Sequence, residues 1–284
     1  ELIKRTELLA NKERLMRDVS RYRTHLEQYA SQRPYVKKIE DNLPPRLLSD
    51  GTLNLLRHAV VYRDFVNMYG KGSHDNSNQV KNLVLVVLWR EKEGEPLRCV
   101  KLSNICTDKH SNSCDSHYVA DVFDYQMRPP DETHLGFLHK FNKIYLVGDH
   151  GPHFSALETM YNESTFNQKY GIEVHPVFLC SYHAYNRCDG AGVELKRLVF
   201  RAGQEGKFHC IAEEYSKMMN ESNYSNHLAA PFRRINRSKH TFPANLVKPE
   251  KNVLRRACEV VYPEPGVAMF RLVSEKAIYA VHDF

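Results

Sequence analysis

Apolar residues near the start of the chain recur in steps of four and three. Leu15, Val19, Tyr22, Leu26 and Tyr29 fall on one stripe, which predicts an amphipathic helix over residues 1–30 packed on the core or on a partner. Ser31 to Pro34 reads as a break, and Asn42-Leu-Pro-Pro45 ends the next segment. From His58 the period changes to that of strands. Residues 58–69 are β-rich, Gly70 to Asn78 reads as a long hairpin loop, and Lys81 to Arg90 is a strongly apolar second strand. A charged turn (Glu91 to Pro96) leads to a third strand, Leu97 to Ile105, so these three form an antiparallel meander. His117 to Met127 is helical in pattern, with Val119, Val122, Phe123 and Tyr125 on one face. Lys143 to Asp149 is a fourth strand, Phe154 to Tyr170 a helix, Ile172 to Leu179 a fifth strand, and Ala191 to Ala202 another helix. Beyond Gly203 the pattern weakens. Lys207 to Met219 looks helical, Asn223 to His227 loop-like, 231–265 basic and interrupted by Pro, and Phe270–Val273 with Ala277–Val281 a final pair of strands. Three segments result: 1–57 helical, 58–203 the α/β core, and 204–284 a basic helical and strand segment.

Composition changes this picture little. At 42% hydrophobic and 26% charged, the 284 residues suit an ordinary folded chain. The longest clear apolar run, Leu83 to Trp89, falls short of a membrane span, so no membrane partner is expected. The chain opens on Glu-Leu-Ile-Lys-Arg, which reads as a fragment or processed product. Seven cysteines at scattered spacings make no disulfide framework and point to the cytosol or nucleus.

Charge is placed unevenly within the +6 total. Residues 1–57 carry 12 Lys/Arg against 8 Asp/Glu, residues 231–284 carry 10 against 5, and the middle carries 18 against 21. An acidic core between basic wings suits a site that gathers carboxylates while its flanks meet a polyanion; the plainer reading is ordinary surface charge.

Two acids stand where none is expected. Asp64 interrupts an apolar strand, and a buried carboxylate needs a partner or a cation. Asp149 ends the fourth strand, where open α/β sheets take ligands, although Asp is equally a turn residue and helix cap. If the first and fourth strands lie side by side, the two acids meet. They then repel unless hard divalent cations such as Mg²⁺ or Mn²⁺ neutralise them. A third acid comes from Cys188-Asp-Gly-Ala-Gly-Val-Glu-Leu-Lys-Arg197. Asp189 and Glu194 lie on opposite borders of that helix's apolar stripe, so only one faces the others. Asp189 has an N-cap as its plain alternative, and Glu194 a pair with Arg197. Lys196 lies on the side of Asp189, where it and Arg197 could meet phosphate.

Other chemistry is less specific. Cys180, His183 and Cys188 could hold structural Zn²⁺ with His209 or Cys210, and Cys106, His110, Cys114 and His117 form a second, irregularly spaced group. His150 and His153 could touch phosphate or cap a helix. Arg233, Arg234, Arg237, Lys239 and His240, with Arg255 and Arg256 behind, are the best phosphate-contacting patch, flanked by Phe232 and Phe242 as base-stacking or core rings.

Residues 58–203 resemble the ribonuclease H-like superfamily of DDE/D transposases and integrases. Three motifs carry it: Arg63-Asp64-Phe65, Gly148-Asp149-His-Gly-Pro-His-Phe154, and Cys180-Ser-Tyr-His183-Ala-Tyr-Asn186. The last is similar to the CxxH motif of hAT and Mutator-like transposases. Cys188-Asp-Gly-Ala-Gly with Lys196-Arg197 resembles an ending found in Kyakuja–Dileera–Zisupton elements. Only a few residues separate His183 from Asp189, which leaves no room for the insertion many hAT and Mutator-like enzymes carry there. The resemblance implies an α/β fold with a ribonuclease H-like mixed five-stranded sheet of three antiparallel and two parallel strands. It implies Asp64, Asp149 and a last acid (Asp189, or Glu194) as ligands of two Mg²⁺ or Mn²⁺ ions that cleave and join DNA, in a nuclear protein acting as a homo-oligomer in a synaptic complex. The competing readings are a retired, domesticated transposase that binds DNA or protein without turnover, and a nuclease on the same fold.

Overall fold

The computed structural model of the chain describes residues 2–69, 79–107, 115–131, 136–179, 187–206, 211–232, 234, 235, 237, 239–249, 253, 257–272 and 279–283. One mixed sheet runs through it. Its strands are β1 (His58–Tyr69), β2 (Gln79–Arg90), β3 (Leu97–Cys106), β4 (Lys143–Asp149), β5 (Glu173–Leu179), β6 (His227–Phe232), β7 (Ala257–Val261), β8 (Val267–Leu272) and β9 (Tyr279–Asp283). They lie in the order β6-β3-β2-β1-β4-β5-β7-β8-β9. The expected five strands occupy the centre, with β1–β2 and β2–β3 antiparallel and β1–β4 and β4–β5 parallel. The sheet is nonetheless nine-stranded, not five-stranded, because the segment after 203 adds β6 parallel to β3 at one edge and an antiparallel β7–β9 group at the other.

Both faces are covered. β2 is buried on either side from Val80 to Leu88, which explains its nearly unbroken apolar sequence. One face packs on α2 (Ser116–Met127), α3 (Leu157–Ser164) and α4 (Phe166–Tyr170), through Val61, Leu83, Leu85, Val119, Phe123, Leu146, Met160 and Phe166. The other packs on α5 (Arg187–Gln204), α6 (Ala212–Asn220) and the end of α1 (Leu2–Asp41). α2 begins where Asp115 accepts the Tyr118 amide, 3.1 Å away, in an N-cap.

Three expectations are corrected. α1 does not break at Pro34 but continues to Asp41. Proline removes one N–H and crowds one earlier carbonyl, and here the turns around it are anchored by burial of Gln32, Val36 and Glu40. The helix expected over 154–170 starts at Leu157 and divides at Thr165. The Ser164 and Thr165 hydroxyls donate to the Tyr161 and Asn162 carbonyls at 2.6 and 2.7 Å, local bonds that compete with the helical ladder. Finally, part of the loop-like and Pro-interrupted stretch after 222 is strand. β6 tolerates Pro231 because it lies at the sheet's edge.

Candidate active site

Alternation along β1 sends Ala59, Val61, Arg63 and Phe65 to the α2 side, and Val60, Tyr62 and Val66 to the α5 side. Asp64 belongs to the second set, opposite Val84 of β2, which also packs there. The β1–β4 pairing ends with Tyr62 opposite Val147; carrying that register two residues further along both parallel strands would bring Asp64 level with Asp149. Asp149 is in turn level with Leu179 of β5, another residue of the α5 face. Both acids are therefore on one face, on neighbouring strands, and half-buried. Strands pair at about 4.8 Å, so each carboxylate lies within the field of the other. Local bonds orient them: Asp64 Oδ1 accepts the Phe65 amide at 2.8 Å and Asp149 Oδ1 the Gly151 amide at 2.9 Å.

Glycines permit the close approaches. A Cβ on Gly148 would lie 3.1 Å from Arg63 Cγ, and one on Gly151 would lie 2.7 Å from Asp149 Oδ1 and 2.9 Å from His153 Nε2. A Cβ on Gly192 would lie 2.7 Å from both methyls of Val66, so α5 rests directly on β1.

That docking separates the two contenders for third acid. Cys188, Ala191, Gly192 and Leu195 form the buried face of α5, with Asp189 and Glu194 on its two borders. Glu194 turns to β3 and β6. It forms an ion pair with Lys101, and its Oε2 is 2.7 Å from His227 Nδ1. His227 Nε2 lies 2.9 Å from Ser103 Oγ, which also accepts from Asn82 at 3.0 Å. This Ser–His–Glu series resembles a hydrolase relay in spacing, but Ser103 and His227 are buried between sheet and helices and face no solvent. Asp189, half-buried, stands on the other border beside Cys188. Burial raises the Cys188 thiol pKa well above its ordinary value, and the charges of Asp64 and Asp189 add to the shift. Asp64 and Asp189 thus both act electrostatically on one thiol, which donates to the Val84 carbonyl at 3.5 Å.

Among the described residues no group of three or more His, Cys, Asp or Glu converges tightly enough to enclose one metal ion. The oxygen donors of Asp64 and Asp149 still fit Mg²⁺ or Mn²⁺, because Mg²⁺ keeps several waters and rests on one or two carboxylates plus substrate phosphates. Zinc fits less well. Cys188 is packed as a protonated thiol, Cys106 is buried in β3, and His117 stands beside Phe242 with its ring centroid 5.0 Å away. Cys180, His183, His209, Cys210, His110 and Cys114 lie outside the described residues.

The two histidines after Asp149 differ. The His150 ring stacks on Phe178, 4.6 Å between centroids, and its Nε2 donates to the Ala257 carbonyl at 3.1 Å. Burial lowers its pKa. The His153 ring lies edge-on to Phe65 and Phe154 at 4.5 and 4.4 Å, and a Cβ on Gly151 would meet both its Nε2 and Asp149 Oδ1. Burial lowers its pKa too, against the pull of Asp149.

Beneath the acids, on the α2 side, Arg63 forms a fully buried ion pair with Glu163 and lies over the Phe154 ring, 4.5 Å from its centroid. The Tyr262 hydroxyl donates to Glu163 at 3.2 Å. Nothing in the sequence marked Glu163, since an acid on an amphipathic helix reads as surface.

Among the described residues the expected basic patch is not gathered around the carboxylates. Lys196 and Arg197 are exposed on α5. Arg237 pairs with Asp115 at 2.6 Å, Lys239 with Asp124, and His240 Nε2 lies 2.7 Å from Asp121. This stretch neutralises α2 on the opposite face of the sheet from Asp64. Phe232 packs edge-on to Tyr118 and Tyr125, a core role. Arg234 is exposed; Arg233, Arg255 and Arg256 lie outside the described residues.

No family model matches the sequence, and no curated protein matches it. Among solved structures it is similar to a chain of the simian T-cell lymphotropic virus intasome in complex with PP2A regulatory subunit B56 gamma. Identity is 12%, over 85% of this chain and 81% of that one, with a TM-score of 0.32. A TM-score that low does not establish a shared fold.

Proposed function

We propose that the chain is a metal-dependent polynucleotidyl transferase of the ribonuclease H-like DDE/D kind, cleaving and joining DNA phosphodiesters as transposases do. One observation carries the reading: Asp64 and Asp149 lie on adjacent parallel strands, each opposite a residue of the sheet face that packs on the helix bearing Asp189. Support for the fold assignment is the central order β3-β2-β1-β4-β5, antiparallel then parallel, which is the order that fold uses. Asp64 and Asp149 would hold Mg²⁺ or Mn²⁺, with Asp189 reaching in from α5. Bound there, such ions activate a water or a 3′-hydroxyl and stabilise the leaving oxygen. His153, a neutral imidazole within the field of Asp149, is the histidine best placed to meet a phosphate oxygen. Lys196 and Arg197 offer cations on the same helix as Asp189.

The test is nicking and strand transfer on DNA with Mg²⁺ or Mn²⁺. Turnover should vanish in Asp64→Asn and Asp149→Asn while DNA binding holds; unchanged turnover in either variant overturns the assignment. The dispersed donor set favours one second reading, a DNA- or protein-binding module without turnover. It predicts DNA retention with no cleavage under any divalent ion.

A further inference from the structure

α1 carries a surface that the carboxylate site does not explain. Its 40 residues extend roughly 60 Å at 1.5 Å per residue. Among the side chains whose exposure is described, the buried ones lie at its end: Gln32, Val36 and Glu40. Between residues 11 and 30 every side chain whose burial is described is exposed. They include Leu15 at 65% exposure, Val19 at 60%, Tyr22 at 62% and Leu26 at 43%, with Met16 beside them at 64%. The spacing is four, three, four, which suits a supercoiled seam.

We propose that this stripe is the seam of a parallel, in-register, two-stranded coiled coil between two copies of the chain. With Leu15 and Tyr22 at d and Val19 and Leu26 at a, a β-branched residue follows Leu in the pattern that favours two strands. Heptad position also sorts the charges. Asp18 falls at g and Arg23 at e, so in a parallel pair Asp18 of each copy meets Arg23 of the other, twice by symmetry. Arg14 falls at c, outside the seam, where two basic helices do not confront each other. Met16, at e, extends the apolar seam on one flank. The dimer does not depend on the role of the carboxylates.

Sedimentation velocity on the full chain should give twice the 33.1 kDa chain mass. Val19→Asp and Leu26→Asp, on exposed positions that leave the body's circular dichroism unchanged, should each return the monomer mass. Tyr22→Cys should form a disulfide-linked dimer under mild oxidation, because d positions of a parallel in-register pair face their own copies. A monomeric parent chain overturns the proposal, as does a dimer indifferent to Val19→Asp or a trimeric mass. A dimer that Tyr22→Cys fails to cross-link overturns the parallel register.

Discussion

Replacing Gly192 by Ala tests whether α5 sets the position of the third carboxylate. The added Cβ would sit 2.7 Å from both Val66 methyls and 3.1 Å from Val66 Cβ. Ordinary carbon contacts begin at about 3.5 Å, so roughly 1 Å must be found. Val66 cannot rotate away, since a β-branched side chain on a strand is stiff and both of its methyls are in the path. The helix must retreat, and Asp189, three residues away, retreats with it. Overpacking of this kind costs about 1–3 kcal/mol. At roughly 2–4 °C per kcal/mol the melting temperature should fall by about 2–12 °C. A 1 Å misplacement of a reacting group costs on the order of 100-fold in rate, so metal-dependent DNA cleavage should suffer far more than folding does. Adding Val66→Ala should restore both. Gly190→Ala is the internal control: no atom lies within 4 Å of its Cβ, so it should stabilise the helix by about 0.5–1 kcal/mol and leave turnover alone. Gly192→Ala with parental melting and turnover would show that α5 does not press on β1. A lowered melting temperature with full turnover would remove Asp189 from the site.

Asp189→Asn should abolish cleavage with little change in melting. Glu194→Gln should do the reverse, losing about 1–3 kcal/mol as Lys101 and buried His227 lose their carboxylate, read by denaturant unfolding beside a cleavage assay. Arg63→Met leaves Glu163 buried and uncompensated, a loss of about 3–5 kcal/mol; Arg63→Met with Glu163→Leu should recover much of it, and equal losses in single and double variants would refute the pairing. Burial lowers the pKa of His58 and His227 below the ordinary imidazole value. Stability is then complete above about pH 6.5 and declines as pH falls through their folded values. A melting temperature that stays flat on acidification would contradict this, and His227→Gln should flatten part of the slope.

The succession β1 to β5 and its pairing were legible because each strand is an apolar or alternating run bounded by polar turns. Asp64 stood out for the same reason, a charge amid valines. What the sequence withheld was whatever depends on distant partners. The partners of Glu194, Lys101 and His227, lie on distant strands and could not be read from its helix. Arg237, Lys239 and His240 read as a free basic patch because their counter-charges on α2 lie more than a hundred residues earlier. β6 was illegible because an edge strand of His, Leu, Ala and Pro lacks alternation and takes its form from β3. Pro34 misled in the opposite direction, since tertiary anchoring outweighed a local breaker.

The proposed function requires Asp64 and Asp149 together to hold a hard divalent cation. Diffraction from Mn²⁺-soaked crystals, read at the manganese absorption edge, tests it without any DNA. Anomalous density is expected between the two carboxylates, with Asp189 drawn toward it and Glu194 still on Lys101. Manganese bound elsewhere, or Asp64 and Asp149 left without metal at saturating Mn²⁺, would contradict it.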